Sequence, residues 1–354
     1  MPGSSPMNRD GSTQDRRYPG ILDSDWPIYE TRALLLEFIR SFFSQHCFLE
    51  TDVPALTPYP TLDTHIRSLH TVLSDEAGRQ KTFFLHTSPE HAMKKLLAAG
   101  ADRVYFLGKV FRDRELTRLH NPEFTMLEWY RTHASYTDIQ NDVESLISGL
   151  VQKLKGSFRI SYQNQWIDFT PPWPRVTVRD LFLEIGVDID QHPGEESLRR
   201  ALDAEGLRHA PDDDWEILFD RLLIDRIEPK LGVPKPVFVT DYPASLGLMA
   251  RRKSVSPEIA ERVELYIAGI ELANGYSELL DPEEQSARFD AELKKKEVEG
   301  FSECRVDKEL LLALERSIPP SAGISVGVDR LVMILTDRND IRQVLYFPAH
   351  HWMD

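Results

Sequence analysis

The placement of strand-like segments restricts the fold of this chain more than any other feature. The segments VYFLGKVF at 104–111 and EFTMLEWYR at 123–131 lie before a helical middle, and a β-pair at 262–279 and the glycine-rich stretch GISVGVDRLVMIL at 323–335 lie after it. Strands grouped early and late around a helical middle are typical of an α+β domain with an antiparallel sheet flanked by helices. We therefore predict a sheet built from both ends of the chain.

Apolar periodicity, prolines and capping residues predict the remaining elements. A helix is predicted over 27–48, and a strand over 81–87. Ser88 supplies an N-cap hydroxyl and Glu90 a carboxylate at the start of the helix that follows. Further helices are predicted at 137–155, 178–186, 195–205, 214–230 and about 282–298.

Composition and charge exclude several classes of protein. The chain has 354 residues with 42 Lys+Arg against 57 Asp+Glu, a net charge of −15. A dedicated nucleic-acid-binding surface is basic, so this balance argues against one. No apolar run approaches the ~20 residues of a membrane span. Two cysteines, Cys47 and Cys304, are too few for a disulfide scaffold or a cysteine zinc site, and no secretory signal segment precedes the first helix. We expect a cytoplasmic globular protein.

The domain organisation follows from composition along the chain. Residues 1–20 contain Gly, Ser, Pro, Arg and Asp with almost no apolar side chains, so we predict a disordered N-terminal lead. The Pro- and Asp-rich stretches at 170–174 and 210–214 are predicted to be loops within one domain. A single domain over 21–354 is therefore expected.

Three segments carry residues suited to chemistry. In the first, a basic loop between two strands brings Arg112, Arg114, Arg118 and His120 together and returns Phe124. Guanidinium groups bind phosphate and carboxylate oxygens bidentately, and a phenyl ring stacks on a purine. A solvated charged hairpin is the alternative interpretation of this segment.

The second segment is RVELYIAGIELANGYSEL. If Ala268-Gly269 forms a two-residue turn, Tyr266 pairs with Glu271, and Glu264 lies diagonally on the same face. Two carboxylates in this arrangement suit Mg²⁺, unless the hairpin is simply an exposed edge. Gly275 is predicted to mark a bulge. That bulge would direct three side chains into one cavity: Asn274, Tyr276 and Glu278.

The third segment is the glycine-rich strand that turns into a helix. Gly323 and Gly327 would allow a ligand to approach the backbone closely, and the helix start offers N–H groups to anions. Arg330 lies in the first helical turn. The alternative is an ordinary packing device. Together the three segments describe a nucleotide-phosphate site, although no P-loop or Rossmann glycine pattern occurs.

These segments are similar to the signature motifs of class II aminoacyl-tRNA synthetases, and the closest likeness is to the lysyl-tRNA synthetase branch. The likeness covers about 27–350 and is carried by TSPEHAMKKLL, FRDRELTRLHNPEFTMLEWY, ELANGYSEL and GVDRLVMIL. The motif 1 helix begins near residue 28, so no anticodon-binding domain is expected before it. With the acidic balance and the PASLG segment after Tyr242, the chain resembles the free-standing paralogues, the elongation factor P–lysine ligase family.

This resemblance implies roles by position. Arg112 would be the catalytic residue, holding the α-phosphate and the substrate carboxylate. Phe124 and Arg330 would sandwich the adenine, and Glu264 with Glu271 would bind Mg²⁺. The distal ammonium of a lysine-type amino acid would lie between Glu90 and Glu278. Other amino-acid contacts are expected from Ser88, Glu128, Tyr130, Asn274, Tyr276 and Ser325. Other ATP contacts are expected from Arg114, Glu115, Arg118, His120, Asn121 and Gly327.

Three positions depart from the family pattern. In the segment that resembles motif 2, FRDRELTRLHNPEFTMLEWY, the acidic residue is displaced to Glu115. In the same segment, Leu119 stands in place of a second basic residue, for which Arg118 would substitute. Ser325 stands where lysyl-tRNA synthetases have glycine and typical paralogues have alanine. The resemblance implies an ATP-dependent ligase that forms an aminoacyl-adenylate and transfers it to a lysine of elongation factor P. It also implies a homodimer, through the motif 1 helix and Pro54, with no tight tRNA binding. A truncated tRNA-lysylating enzyme and a catalytically silent synthetase-like regulator remain as alternatives.

Overall fold

The structure is a computed structural model, which describes residues 26–64, 66–189, 194–298, 300 and 304–353. The predicted N-terminal lead at 1–20, and the predicted start of the domain at residue 21, lie outside the described residues.

A mostly antiparallel eight-stranded sheet organises the domain, in the order β1-β5-β6-β13-β12-β11-β10-β9. Only its two edge pairs, β1 with β5 and β10 with β9, run parallel. Smaller sheets have the orders β2-β4-β3 and β7-β8. The predicted α+β class is confirmed. The strands are β1 (Leu49–Glu50), β2 (Leu56–Thr57), β3 (His70–Ser74), β4 (Gln80–Leu85), β5 (Arg103–Phe111), β6 (Glu123–Thr132), β7 (Arg159–Tyr162), β8 (Gln165–Asp168), β9 (Arg175–Thr177), β10 (Val237–Pro243), β11 (Ile259–Ile267), β12 (Ile270–Ser277) and β13 (Ser321–Gly327).

The α-helices agree closely with the sequence-based expectations, with two exceptions. The helix over Lys308–Leu314 was not predicted, and the predicted helix over 214–230 is α-helical only to Leu222. A wider π-type turn at Leu223–Ile227 and a 3-10 turn at Glu228–Lys230 complete that segment. The helices are α1 (Trp26–Gln45), α2 (Glu90–Ala98), α3 (Tyr136–Lys155), α4 (Val178–Leu183), α5 (Glu195–Ala204), α6 (Trp215–Leu222), α7 (Pro282–Val298), α8 (Lys308–Leu314) and α9 (Val328–Leu335).

One face of the central sheet packs against α1, α3 and α9 and forms the main core. Leu127 and Trp129 of β6 and Ile324 of β13 point into it and are buried. Because side chains alternate along a strand, the residues between them point to the opposite face. That opposite face carries the cavity described below.

Strand β10 was not predicted from the sequence. VFVTDYP is a buried strand that inserts between β9 and β11 and extends the sheet beyond the hairpin. Its flanking prolines resemble those of a loop, but its packing against the helices α4 to α6 makes it the floor of a second apolar cluster.

No helix in the described part of the chain combines the length and the apolarity that a bilayer crossing requires.

Candidate active site

A cavity of about 650 Å³ opens on the free face of the central sheet. Alternate residues of β6, β12 and β13 form its floor, and the first turn of α2 closes one end. Most of the residues predicted to bind substrates line it. They are Ser88, Glu90, Arg112, Glu115, His120, Asn121, Phe124, Glu128, Tyr130, Glu271, Asn274, Tyr276, Ser325, Gly327 and Arg330.

The β11–β12 hairpin places several of these residues through a bulge. The predicted turn at Ala268-Gly269 and the pairing of Tyr266 with Glu271 are confirmed, since both turn residues have positive φ (52° and 74°). Leu265 pairs with Ala273, so the extra residue of the bulge is Leu272. A bulge reverses the alternation of side chains, so Glu271 and Asn274 point to one face although three positions separate them.

The bulge was therefore predicted at the wrong residue. Gly275 pairs regularly with Val263 and Ile324. A Cβ at Gly275 would lie 2.5 Å from the Ile324 Cβ and 2.6 Å from the Gly323 carbonyl oxygen. The glycine is required because two strands approach closely there.

Glu128 lies at the acidic end of the cavity and is only 3% exposed. The Ser88 hydroxyl is 2.8 Å from one of its carboxylate oxygens, and the Tyr130 hydroxyl donates to the other at 2.6 Å. Burial, together with the negative charge of Glu90, raises the pKa of Glu128 to about 7. Ser88 also accepts a hydrogen bond from the Glu90 backbone N–H, although the N-cap position itself belongs to Pro89.

Glu90 and Glu278 meet at the same end, and the ammonium of Lys94 lies between them. Its Nζ is 2.8 Å from Glu90 Oε1 and 2.6 Å from Glu278 Oε2. Tyr276 donates its hydroxyl proton to Glu90 Oε1. Burial disfavours charge on Glu90, but the Lys94 ammonium holds the pKa of Glu90 below its usual value. Glu90 and Glu278, the two residues predicted to hold the substrate ammonium as a clamp, are thus brought together by Lys94. Glu278, however, is 1% exposed and does not line the cavity into which it was predicted to point.

The floor between the two ends of the cavity is formed by β13. Ser325 pairs across the sheet with Glu128 on one side and Asn274 on the other, and its hydroxyl donates to the Asn274 carbonyl at 3.3 Å. Gly323 lines the cavity and also makes room for a neighbouring side chain. A Cβ there would lie 2.1 Å from the Tyr130 ring, so the glycine is required by the position of this tyrosine.

The basic end of the cavity holds Arg112, Phe124 and Arg330. The Arg112 guanidinium lies 5.2 Å from the centre of the Phe124 ring. The carboxylate of Glu115 lies 3.7 Å from the same guanidinium. The buried Nε of Arg112 has no hydrogen-bond partner among the described residues. Because a buried, unpaired donor is costly, this nitrogen is available to an anionic ligand.

His120 contacts Arg330 and is neutral. The Arg330 guanidinium is 2.7 Å from His120 Nε2, so this nitrogen accepts, and Nδ1 carries the proton toward the Thr117 hydroxyl at 2.8 Å. Burial, with the charges of Arg330 and Arg112, lowers the pKa of His120 to about 4. In this arrangement His120 offers no positive charge to phosphates.

Three predicted ATP contacts are placed differently. Arg114 and Arg118 are exposed and do not line the cavity. Asn121 lines it, but its amide is used by the fold: the nitrogen donates to the Glu123 carbonyl at 2.6 Å, and the oxygen accepts the Ala349 N–H at 2.9 Å.

The proposed metal ligand Glu264 is saturated with hydrogen bonds. One of its oxygens accepts from Arg262 at 2.6 Å and Asn274 at 3.1 Å. The other accepts from the Tyr242 and Tyr266 hydroxyls at 2.5 and 2.7 Å. Two acceptor sites on each oxygen are therefore occupied, and the Arg262 charge neutralises the carboxylate.

Glu271 is more accessible, with a side chain 37% exposed and 3.5 Å from the Arg330 guanidinium. Burial and the charge of Glu264 raise its pKa. Within the described residues, no group of three or more His, Cys, Asp or Glu side chains is arranged to hold a metal ion. The pair does not form a preassembled magnesium site, because Glu264 would first have to release one of its donors.

Four residues of the site were missed. Lys94 follows Glu90 by four positions, a helical spacing that places both on one face, so its sequence signal was present. Arg262 lies two positions before Glu264 on the same strand, which is also a readable signal. Tyr242 and Glu228 come from elements distant in sequence. Burial raises the pKa of Glu228 to about 7, and its carboxylate lies 2.8 Å from the Tyr266 hydroxyl.

The fold and this cavity agree with the comparison with known protein families. The model of the class II tRNA synthetases (D, K and N) matches residues 27–351. The chain belongs to this family.

Several curated relatives are lysine–tRNA ligases. That of Dehalococcoides mccartyi is 37% identical over 323 residues, which covers 90% of this chain and 63% of the relative. Those of Moorella thermoacetica and Legionella pneumophila are 35% and 36% identical, and the matches cover 91% and 90% of this chain and 65% and 63% of the relatives. The chain thus spans somewhat less than two thirds of the length of these relatives.

Proposed function

We propose that this protein activates a lysine-type amino acid with ATP and transfers it to a lysine side chain of elongation factor P. Family membership and the names of the relatives support ATP-dependent lysine activation. The free-standing paralogues that the sequence resembles support the protein acceptor, through the PASLG segment and the net charge of −15.

One observation carries the choice of amino acid. Glu90 and Glu128 line the acidic end of the cavity, Glu278 is buried outside the lining, and the ammonium of Lys94 contacts Glu90 and Glu278. Glu278 Oε1 is buried and has no hydrogen-bond partner among the described residues. At neutral pH, protons held by Glu128 and Glu278, whose pKa values are raised to about 7 and about 8, offset part of this negative charge, and a second cation would allow all three groups to ionise. The distal ammonium of a lysine-type side chain supplies that charge.

The opposite end of the cavity fits the activation step. The amino-acid carboxylate attacks the α-phosphorus of ATP, an O–P bond forms, the bond to the β-phosphate oxygen breaks, and pyrophosphate leaves. Arg112, with its free Nε, stabilises the negative charge that develops on the phosphoryl oxygens. Phe124 and Arg330 hold the adenine between them.

Transfer completes the reaction. The acceptor amine attacks the carbonyl carbon of the adenylate, an amide bond forms, AMP leaves with the electrons of the broken C–O bond, and the amine releases a proton. No covalent enzyme intermediate is needed. Synthetases of this kind generally use Mg²⁺ with ATP, and Glu271 with Glu264 remain our proposed ligands. We assign no step to the metal.

A second candidate acceptor is tRNA. The relatives are named lysine–tRNA ligases, and this observation favours tRNA(Lys) charging. We expect no tight tRNA binding, because the counterion-release contribution is weak for an acidic chain. A submicromolar, strongly salt-dependent affinity for tRNA(Lys) would overturn this expectation.

Amino-acid-dependent exchange of pyrophosphate into ATP tests activation. We expect exchange with α-lysine or (R)-β-lysine, and none with norleucine, the matched neutral side chain. Exchange with norleucine alone, or none with any amino acid, would refute the proposal, and the latter would support a silent regulator. Mass spectrometry of elongation factor P and acid gel analysis of tRNA(Lys), each added to the activated enzyme, then identify the acceptor. Aminoacylation of tRNA(Lys) without modification of elongation factor P would show that tRNA(Lys), and not the protein, is the acceptor.

A further inference from the structure

Lys94 has no part in the activation chemistry above and does not line the cavity, yet its buried ammonium lies between two of the acidic residues at this end. Its side chain is 0% exposed, and its ammonium contacts Glu90 and Glu278 and lies 5.5 Å from the centre of the Tyr276 ring. An ammonium without exposure is rare in proteins and requires compensating charges. Here two carboxylates provide them.

The position of Lys94 joins two elements that are far apart in sequence. Glu90 precedes it by one helical turn on α2, whereas Glu278 follows the last residue of β12. Only Lys94 links these two carboxylates directly among the hydrogen bonds and ion pairs of the described residues. Its ammonium therefore fixes the distance between the two proposed clamp residues.

The charges of the cluster are unequal. Three carboxyl groups, Glu90, Glu128 and Glu278, face one ammonium. Burial raises the pKa of Glu278 to about 8 even though Lys94 acts to lower it. Burial also works against the charge of Lys94, but the two carboxylates raise its pKa above the usual value. The ammonium is therefore a permanent charge, and the carboxyl groups are the members that titrate.

We propose that Lys94 is a positioning and specificity-determining residue, a built-in cation that orients Glu90 and Glu278 and leaves the pocket one place for a further positive charge. This inference rests on the proposed lysine activation. It explains how two buried carboxyl groups are held together while the pocket keeps enough negative charge to attract a second ammonium, that of the substrate. A purely packing role would require only the aliphatic part of the side chain.

The variant Lys94→Met separates charge from packing, because methionine has a similar length and no charge. We expect kcat/KM for lysine in pyrophosphate exchange to fall by about 10- to 100-fold at pH 7, with little change in KM for ATP. Lys295→Met is the matched control: this lysine of α7 also contacts two carboxylates, Glu216 and Glu292, and it does not line the cavity. We expect it to retain the wild-type kcat/KM.

The pH profile gives a readout that packing does not affect. The titratable groups around Lys94 are Glu90 of α2, Glu128 and Tyr130 of β6, Tyr276 of β12 and Glu278 directly after it, and His91 of α2 acts on Glu90. The Lys94 charge lowers the pKa of Glu90 and Glu278, so its removal raises both. The rise of kcat/KM for lysine with pH should therefore lie at higher pH in Lys94→Met than in the wild type, so the loss caused by the substitution should shrink as the pH rises from 7 to 9.

A double-mutant cycle with Glu128→Gln tests the charge balance and guards against a folding defect of Lys94→Met. Glu128→Gln removes one negative charge, so we expect Lys94→Met to cost at least about fivefold less in that background. Wild-type kcat/KM in Lys94→Met, equal losses for lysine and ATP, a pH-independent loss, or additive costs in the cycle would each overturn the inference. Absence of lysine-dependent exchange in the wild type would instead refute the proposed function itself.

Discussion

Asp329 accepts the backbone N–H of Thr125 at 2.7 Å, and this hydrogen bond joins the two sides of the proposed adenine site. Thr125 follows Phe124 on β6, and Asp329 precedes Arg330 on α9. Arg32 of α1 completes the group, since its guanidinium contacts Asp329 and donates to the Thr125 hydroxyl at 2.6 Å. The ring and the guanidinium that would enclose the base are thus held by one buried ion pair.

The first prediction concerns this ion pair. Arg32→Met leaves the Asp329 carboxylate buried without its counter-charge, so we expect the free energy of unfolding to fall by about 3–5 kcal/mol. We also expect KM for ATP to rise about tenfold while KM for lysine changes little. Urea denaturation and pyrophosphate exchange measure the two effects. The control is Arg40→Met on the same helix, whose pair with Glu50 is half-exposed and should contribute less than about 1 kcal/mol. Equal effects of the two variants would contradict the prediction.

The second prediction concerns the clamp. Glu278→Gln removes one of the two carboxylates on Lys94 and on the proposed substrate ammonium. We expect kcat/KM for lysine to fall by about 10²–10³, because a buried cation is left half-paired. ATP affinity, measured by calorimetry, should stay the same, since Phe124 and Arg330 are untouched. Equal losses for lysine and ATP would count against the clamp.

The third prediction concerns the charge of His120. Its pKa of about 4 in the folded protein lies below the ordinary value near 6.5. The unfolded chain therefore binds a proton at higher pH than the folded one. The resulting contribution to stability is complete above about pH 6.5 and declines as the pH falls toward 4. Nitrogen-15 NMR of the imidazole should show the Nδ1–H tautomer at pH 7 and no protonation at pH 5.5. A midpoint above pH 6 would disprove the assignment.

The fourth prediction concerns Gly323. Gly323→Ala places a methyl group against the Tyr130 ring, so the ring must shift and its hydroxyl loses its position on Glu128. We expect a loss of about 1–3 kcal/mol in unfolding free energy, and a lower kcat/KM for lysine. Gly194→Ala serves as the stability control, because a Cβ there meets nothing within 4 Å. A stable, fully active Gly323→Ala variant would contradict the prediction, because it would show that the Tyr130 ring can move without loss of function.

The fifth prediction is dimerisation. Helix α1 and Pro54 resemble the dimer-forming motif 1, and such interfaces are isologous by symmetry. Static light scattering at micromolar concentration should give twice the chain mass of 40.7 kDa. A monomer under these conditions would refute it.

The distinction between what could be predicted from sequence and what could not is clear at the β11–β12 hairpin. The turn at Ala268-Gly269 and the pairing of Tyr266 with Glu271 depend on residues next to each other in sequence, and both were predicted. The bulge was expected at Gly275 but lies at Leu272. Its position depends on how β12 packs between β11 and β13, which the local sequence does not specify.

The sequence by itself determined the α+β class, most helices, the turn of the β11–β12 hairpin and many of the residues that line the cavity, because these follow from local periodicity and from short motifs. Only the tertiary structure decided which of those residues are free to act. Lys94 lies between Glu90 and Glu278, four donors occupy Glu264, and Arg330 keeps His120 neutral. Each of these outcomes includes a contact between elements remote in sequence, namely Lys94 with Glu278, Tyr242 with Glu264 and Arg330 with His120. Burial strengthens such interactions far beyond their magnitude in water.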